Sequence, residues 1–212
     1  MARICLDIQG VDAKGRGERR AGDGVEARTA NHRPTPLIPV RPKLAIPLFV
    51  VPVLLAVDFV TKRWALAALE DTSSELFGGL LPLTLAFNKG AAFGLSVGED
   101  SRWLFVPITF VALALLIVLY RQTEQRDFLR IMAISLVAAG ALGNLYDRVR
   151  WSRGVVDFFG PVDLGFWHFP IFNVADIAIT CGAIGLALSF WQEEKRERAA
   201  AREAEATADP AG

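Results

Sequence analysis

The chain is 212 residues long, 52% hydrophobic and formally neutral, with 23 basic and 23 acidic residues. That balance excludes the net-basic footprint of a nucleic-acid binder, and an inventory of two cysteines and two histidines, all far apart, excludes zinc fingers and H-E-x-x-H proteases. Mean hydropathy is +0.34, but its distribution says more: charge collects towards the ends and apolar residues gather in long runs.

Residues 1–42 are rich in Arg, Gly, Asp and Pro and show no apolar period. They read as a disordered basic leader. Residues 1–10 lack the apolar stretch of a signal peptide. From Lys43 the character changes. Residues 44–57 form a first apolar run, which continues past Asp58 into 64–69. Residues 103–120 carry no charge and lie between Arg102 and Arg121. Residues 128–146 form a third run, and 169–191 a fourth that only Asp176 interrupts. A hydrocarbon core about 30 Å thick takes about 20 apolar residues in a helix. Four such runs predict an all-α membrane protein with four transmembrane helices over 43–192. A charged cytoplasmic tail, 193–212, extends the last helix and frays at Asp209-Pro210. No repeat of fixed period is visible.

Lys and Arg set the expected orientation. Arg33, Arg41 and Lys43 precede the first run, Arg121, Arg126 and Arg130 separate the second from the third, and Lys195, Arg196, Arg198 and Arg202 follow the fourth. Four spans place these regions on one side, which predicts cytoplasmic termini and outward-facing segments at 70–102 and 149–168. In the first of these, Leu81, Leu83, Leu85 and Phe87 alternate with smaller or polar residues, the period of a strand. A small extracytoplasmic β-element is expected there.

Acidic residues beside apolar runs carry the chemical information. An ionised carboxylate near the bilayer centre costs about 2.5–3.5 kcal/mol on insertion scales, so such groups have a partner or a task. Topology brings Asp58, Asp147, Asp157 and Asp176 to the outward face. Counted from Phe169, Asp176 is expected two helical turns inside its span, roughly 10 Å deep at 1.5 Å per residue. Asp157 is expected on a loop at the interface. Two carboxylates held together cannot both ionise easily, so one keeps a proton while the other acts as a base. Such a pair can activate water against a peptide without metal or covalent intermediate. Acid placement alone leaves other readings open: a structural ion pair with Arg148, a small ion- or proton-coupled transporter, or a non-catalytic scaffold. Asn144 and Asn173 read equally well as interhelical hydrogen-bonding groups. Trp151, Trp167 and Trp191 read as interfacial aromatics, and His168 as an interfacial residue.

Five blocks in order resemble the lipoprotein signal peptidases (signal peptidase II): Asp58-Phe59-Val60-Thr61-Lys62, Asn88-Lys89-Gly90-Ala91-Ala92-Phe93-Gly94, the run from Gly140 to Arg148 through Asn144, Val155-Val156-Asp157-Phe158, and Phe172-Asn173-Val174-Ala175-Asp176. The resemblance covers roughly 43–191. It departs from the family's pattern at Phe59 and Lys89, which bears on substrate preference. The resemblance implies a metal- and cofactor-independent aspartic endopeptidase with Asp157 and Asp176 as its catalytic pair. It also implies that Asp58, Asn88, Asn144, Arg148 and Asn173 line the substrate site. The implied reaction removes signal peptides from diacylglyceryl-modified prolipoproteins, on the amino side of the modified cysteine, in the bacterial inner membrane. Membrane lipids are the expected surroundings, a monomer the expected form, and chelators are expected to leave activity intact.

Overall fold

A computed structural model of the chain describes residues 42–90, 102–166 and 168–208. The leader up to residue 41, the Ala91–Gly94 part of the second block, Trp167 and the Asp209-Pro210 end lie outside the described residues. Four helices account for most of the described chain: α1 (Pro42–Ala68), α2 (Arg102–Gln122), α3 (Phe128–Arg150) and α4 (Val174–Ala208). Each is long and apolar enough to cross a membrane. In lipid a helix is favoured because it satisfies every backbone N–H and C=O within its own segment. Pro47 and Pro52 lie inside α1, as membrane helices tolerate. Asp127 starts α3 by accepting the Arg130 N–H at 3.0 Å.

The helices differ in how much of their surface faces protein. In α1 and α2 only 6% of the most apolar window is buried, against 56% in α3. Helix α3 is therefore the hub, packing on α4, α1 and α2. The polar residues that the sequence places on α3 are thus turned inward, and lipid meets mainly apolar side chains such as Leu48, Phe49, Ile108 and Leu115.

The α1–α2 connection contains β1 (Ser74–Leu76) and β2 (Leu81–Asn88), and the α3–α4 connection contains β3 (Val155–Phe159). They form one antiparallel sheet in the order β1-β2-β3. The pairing of β2 with β3 brings the two connections to the same end of the bundle. Opposite them, a short turn joins α2 to α3. A hairpin of β4 (Val162–Asp163) and β5 (His168–Phe169) completes the sheet-bearing end. The alternation in β2 turns Leu83 inward against Ala65, Leu69 and Phe158. This small core fixes the sheet to the end of α1. Gly154, at φ +97°, precedes β3, and a Cβ there would come within 2.5 Å of the Asn88 carbonyl oxygen. Glycine is what allows β3 to lie against the end of β2.

Two expectations need correction. Asp157 lies in β3, paired with Ala86, and not on a loop. Helix α4 starts at Val174 and not at Phe169, so Asp176 sits in its first turn and not two turns inside. The reason is local. Phe169 belongs to β5, Phe172 bridges to Phe159, and Pro170 disfavours helix at the residue before it. Apolar character at 169–172 serves sheet pairing, which a helical period cannot distinguish from a buried helix end.

Candidate active site

The site is organised around Asn173, which is fully buried and precedes the first residue of α4. Its side-chain Oδ1 accepts the Asp176 N–H at 2.9 Å, and its own backbone N–H donates to Asp176 Oδ2 at 3.2 Å. This is the reciprocal exchange of a capping box, with Asn and Asp in place of Ser and Glu. It fixes the Asp176 carboxylate at a helix N-terminus, where the backbone dipoles favour negative charge. The same Asn173 extends Nδ2 to Asp157 Oδ1 at 2.6 Å and to the Val156 carbonyl at 3.2 Å. One residue thus holds both carboxyl groups, one through its backbone and one through its amide.

Asn144 on α3 closes the arrangement. Its Nδ2 donates to Asp176 Oδ1 at 2.8 Å, and its Oδ1 accepts from Asn173 Nδ2 at 3.1 Å. Asp176 therefore receives a donor on each oxygen. Asp157 is 2% exposed. Its burial, and next the charge of Asp176, push its carboxyl from an ordinary 3.8 up to about 7, while hydrogen bonds from Asn88 and Asn173 and the charge of Lys62 pull the other way. Arg148 stands in electrostatic reach of Asp176, Asp157 and Asp147. Its guanidinium lies 5.2 Å over the Phe105 ring of α2, and its Nε is buried with no hydrogen-bond acceptor.

Behind this pair lies a second cluster of charged groups. Lys62, the last residue of the first motif block, is 3% exposed. Its ammonium meets Asp58 Oδ2 at 2.8 Å, Asp147 Oδ2 at 2.9 Å and Asn144 Oδ1 at 3.1 Å. Asp58 is the same residue the resemblance assigns to the substrate site. Its other oxygen accepts the Ala175 N–H at 3.0 Å, so it ties α1 to the start of α4. Asp147 accepts the Val156 N–H at 3.3 Å, tying α3 to β3. Asp147 thus joins α3 to both α1 and β3. The spacing of Asp58 and Lys62, four residues apart on one helix, was the available signal. Gly143 makes room for the cluster: a Cβ there would lie 2.6 Å from Asp58 Oδ2. The structure therefore gathers Asp157, Asp176, Asn88, Asn144, Arg148 and Asn173 around one point and sets Asp58 one layer behind it. Among the described residues no group of three or more His, Cys, Asp or Glu side chains has the placement to hold a metal ion.

The sequence matches the family model for signal peptidase (SPase) II over residues 50–192. It is 41% identical over 141 residues to the lipoprotein signal peptidase of Syntrophomonas wolfei, covering 66% of this chain and 89% of that protein. Against the lipoprotein signal peptidase of Hydrogenovibrio crunogenus it is 37% identical over 153 residues, covering 70% and 87%. Its fold is similar to a solved structure of a bacterial membrane enzyme, with a TM-score of 0.62 and 32% sequence identity, covering 69% of this chain and 93% of that one.

Proposed function

The chain belongs to the signal peptidase II family, and on that premise we propose that Asp157 and Asp176 are the acid and base with which it hydrolyses its substrate. It is a membrane-bound aspartic signal peptidase that removes signal peptides from prolipoproteins, and not the ion- or proton-coupled transporter that the acids alone left open. The single observation supporting the residue assignment is the double grip of Asn173, which holds both carboxyl groups at one point.

The donors around Asp176 suit it to be the base and the burial of Asp157 suits it to carry the proton. Asp176 takes a proton from water as the water oxygen bonds to the scissile carbonyl carbon, and Asp157 gives its proton to the carbonyl oxygen. The tetrahedral diol then collapses. Asp176 passes its proton to the departing nitrogen, the C–N bond breaks, and the diol returns a proton to Asp157. Atoms and charge balance without a metal. The half-buried Arg148 guanidinium and the Asn88 amide are the donors suited to orient substrate carbonyls. Asp58 contributes by bracing the N-terminus of α4. Cleavage falls on the amino side of a diacylglyceryl-modified cysteine, a bond that lies where the lipid-anchored helix of the precursor leaves the membrane.

The sheet-bearing end faces outward from the inner membrane and the termini face the cytoplasm, because Arg121, Arg126, Arg130, Lys195, Arg196, Arg198 and Arg202 gather at or beyond the opposite end. The enzyme works as a monomer, since one chain supplies both carboxyl groups and all their hydrogen-bond partners. The test uses purified protein with a diacylated precursor. Asp157→Asn and Asp176→Asn should each reduce cleavage by roughly 10²–10⁴-fold, the span of general acid–base catalysis, while the protein still accumulates in membranes. Cleavage by either variant at the unaltered rate would refute the assignment.

A further inference from the structure

We propose that Lys62 is a positioning residue for the reaction: by filling the acceptor oxygen of Asn144 it fixes which end of that amide meets Asp176, and so decides which carboxyl group of the pair acts as base. The inference rests on the assignment of Asp157 and Asp176 above and goes beyond it, since Lys62 touches neither the substrate position nor the pair itself.

An asparagine side chain offers one acceptor oxygen and one NH2 group, and nothing in the side chain alone selects its orientation. At Asn144 the surroundings select it. Lys62 Nζ and Asn173 Nδ2 both approach Asn144 Oδ1 at 3.1 Å, and both are donors only. The reversed amide would set its NH2 against an ammonium and another NH2 group and its oxygen against Asp176 Oδ1, losing the three hydrogen bonds that Asn144 makes to Lys62, Asn173 and Asp176. The NH2 group must therefore point the other way, to Asp176 Oδ1 at 2.8 Å.

Of the two groups that hold Asn144, Lys62 is the more committed. An ammonium has three N–H donors, and all three are used, on Asp58 Oδ2, Asp147 Oδ2 and Asn144 Oδ1. No donor remains free on it, and at 3% exposure it is largely shielded from water. Lys62 is consequently unsuited to proton transfer and suited to holding an orientation. The charged groups around it are Asp58 on α1, Asp147 and Arg148 on α3, Asp157 on β3 and Asp176 on α4, while β2 contributes the neutral Asn88. Lys62 is the ammonium among four carboxyl groups. Its field lowers the proton affinity of Asp157, and its hydrogen bond through Asn144 keeps a donor on Asp176.

Lys62→Met removes both effects but leaves Asp58 and Asp147 facing each other in a dry site, and misfolding could imitate an activity loss. The double variant Lys62→Met/Asp147→Asn keeps the formal charge of the cluster at −1, because one cation and one anion are removed together. In this variant kcat should fall by about ten- to a hundredfold, the size of losing one hydrogen bond to a charged group. KM should change little, and both limbs of the kcat/KM pH profile should move to higher pH. Lys62→Arg, which restores charge and donors, should return the limbs towards their original positions. A second measurement needs no change at Lys62. The infrared band of a protonated carboxyl at neutral pH should disappear in Asp157→Asn and persist in Asp176→Asn. Unmoved pH limbs in the double variant, or loss of the band in Asp176→Asn in place of Asp157→Asn, would overturn the proposal. If the two Asp→Asn variants also kept full cleavage, the catalytic pair itself would be wrong. If they lose cleavage while the Lys62 variants leave the limbs unmoved, only the role of Lys62 is refuted.

Discussion

Arg130 and Lys62 are both buried cations that bind α3 to a neighbouring helix, one at each end of the bundle. Arg130 donates to Ser189 Oγ at 2.9 Å and to Glu193 Oε2 at 2.8 Å, and lies 3.3 Å from Asp127 Oδ2. Its carboxylate partners are open to solvent, with side-chain exposures of 29% for Asp127 and 49% for Glu193. The carboxylates around Lys62 are each 6% exposed. Water reaches the carboxylates around Arg130 and is largely kept from those around Lys62. The difference teaches that burial of a cation does not by itself mark a functional residue. What distinguishes Lys62 is dry partners and an amide that connects it to a reactive carboxyl group.

The comparison can be sharpened by substitutions of decreasing expected effect. Asn173→Ala removes the donor to Asp157 and the cap that fixes Asp176. It should lower kcat by roughly ten- to a hundredfold, from the loss of the side-chain hydrogen bond to a catalytic carboxyl group, and should cost about 1 kcal/mol of helix capping. Steady-state cleavage and thermal unfolding in detergent check the two parts separately.

Titration probes the same end without mutation. With Asp157 carrying its proton up to about pH 7, kcat/KM should fall about tenfold per pH unit above that value, the apparent limb belonging to the pair. Stability follows the same group. Its folded pKa is raised from 3.8 to about 7, so the folded state binds the extra proton. That contribution is complete below the unfolded value and is lost as pH rises between the two. Asp157→Asn should flatten this part of the stability profile, and an unchanged slope would show that another group is responsible.

Gly143→Ala is the next step down. The added methyl must displace the Asp58 carboxylate, which lies 2.6 Å from the Cβ position. A loss of about 1–3 kcal/mol in stability is expected, with lower cleavage because the support of Lys62 and the α4 N-terminus is disturbed. Arg130→Met should have the smallest effect. Cleavage should stay within about twofold and stability should fall by only about 1 kcal/mol, as befits an ion pair whose carboxylates water can reach. A strong cleavage defect in Arg130→Met would erase the contrast between the two ends.

Much of the architecture could be read from residue order. Long apolar runs permit only helices in lipid, so the four spans and their parity followed from composition, and the alternation of Leu81, Leu83, Leu85 and Phe87 marked β2. Where apolar residues did not follow a single period, the reading failed. Residues 169–172 were counted into α4, although Phe169 and Phe172 pair with strand residues. This moved Asp176 from a depth of two turns to the first turn, where Asn173 can cap it. The motif blocks pointed to Asp157, Asp176, Asn144 and Asn173. They carried no information on which nitrogen meets which oxygen, or on what the Lys62 ammonium meets.

The sequence by itself determined that the chain spans a membrane four times and that two acids from its last third approach the same face. Both follow from local properties, since hydrophobic length and order along the chain survive without knowledge of packing. Only the tertiary structure decided that Asn173 grips both carboxyl groups, that Lys62 stands dry between Asp58 and Asp147, and that the Asn144 amide has one orientation. Those facts depend on contacts between groups as many as 117 residues apart, as between Asp58 and Ala175. Hydrogen bonds act over about 3 Å, and no pattern along the chain specifies a distance that short between such remote positions.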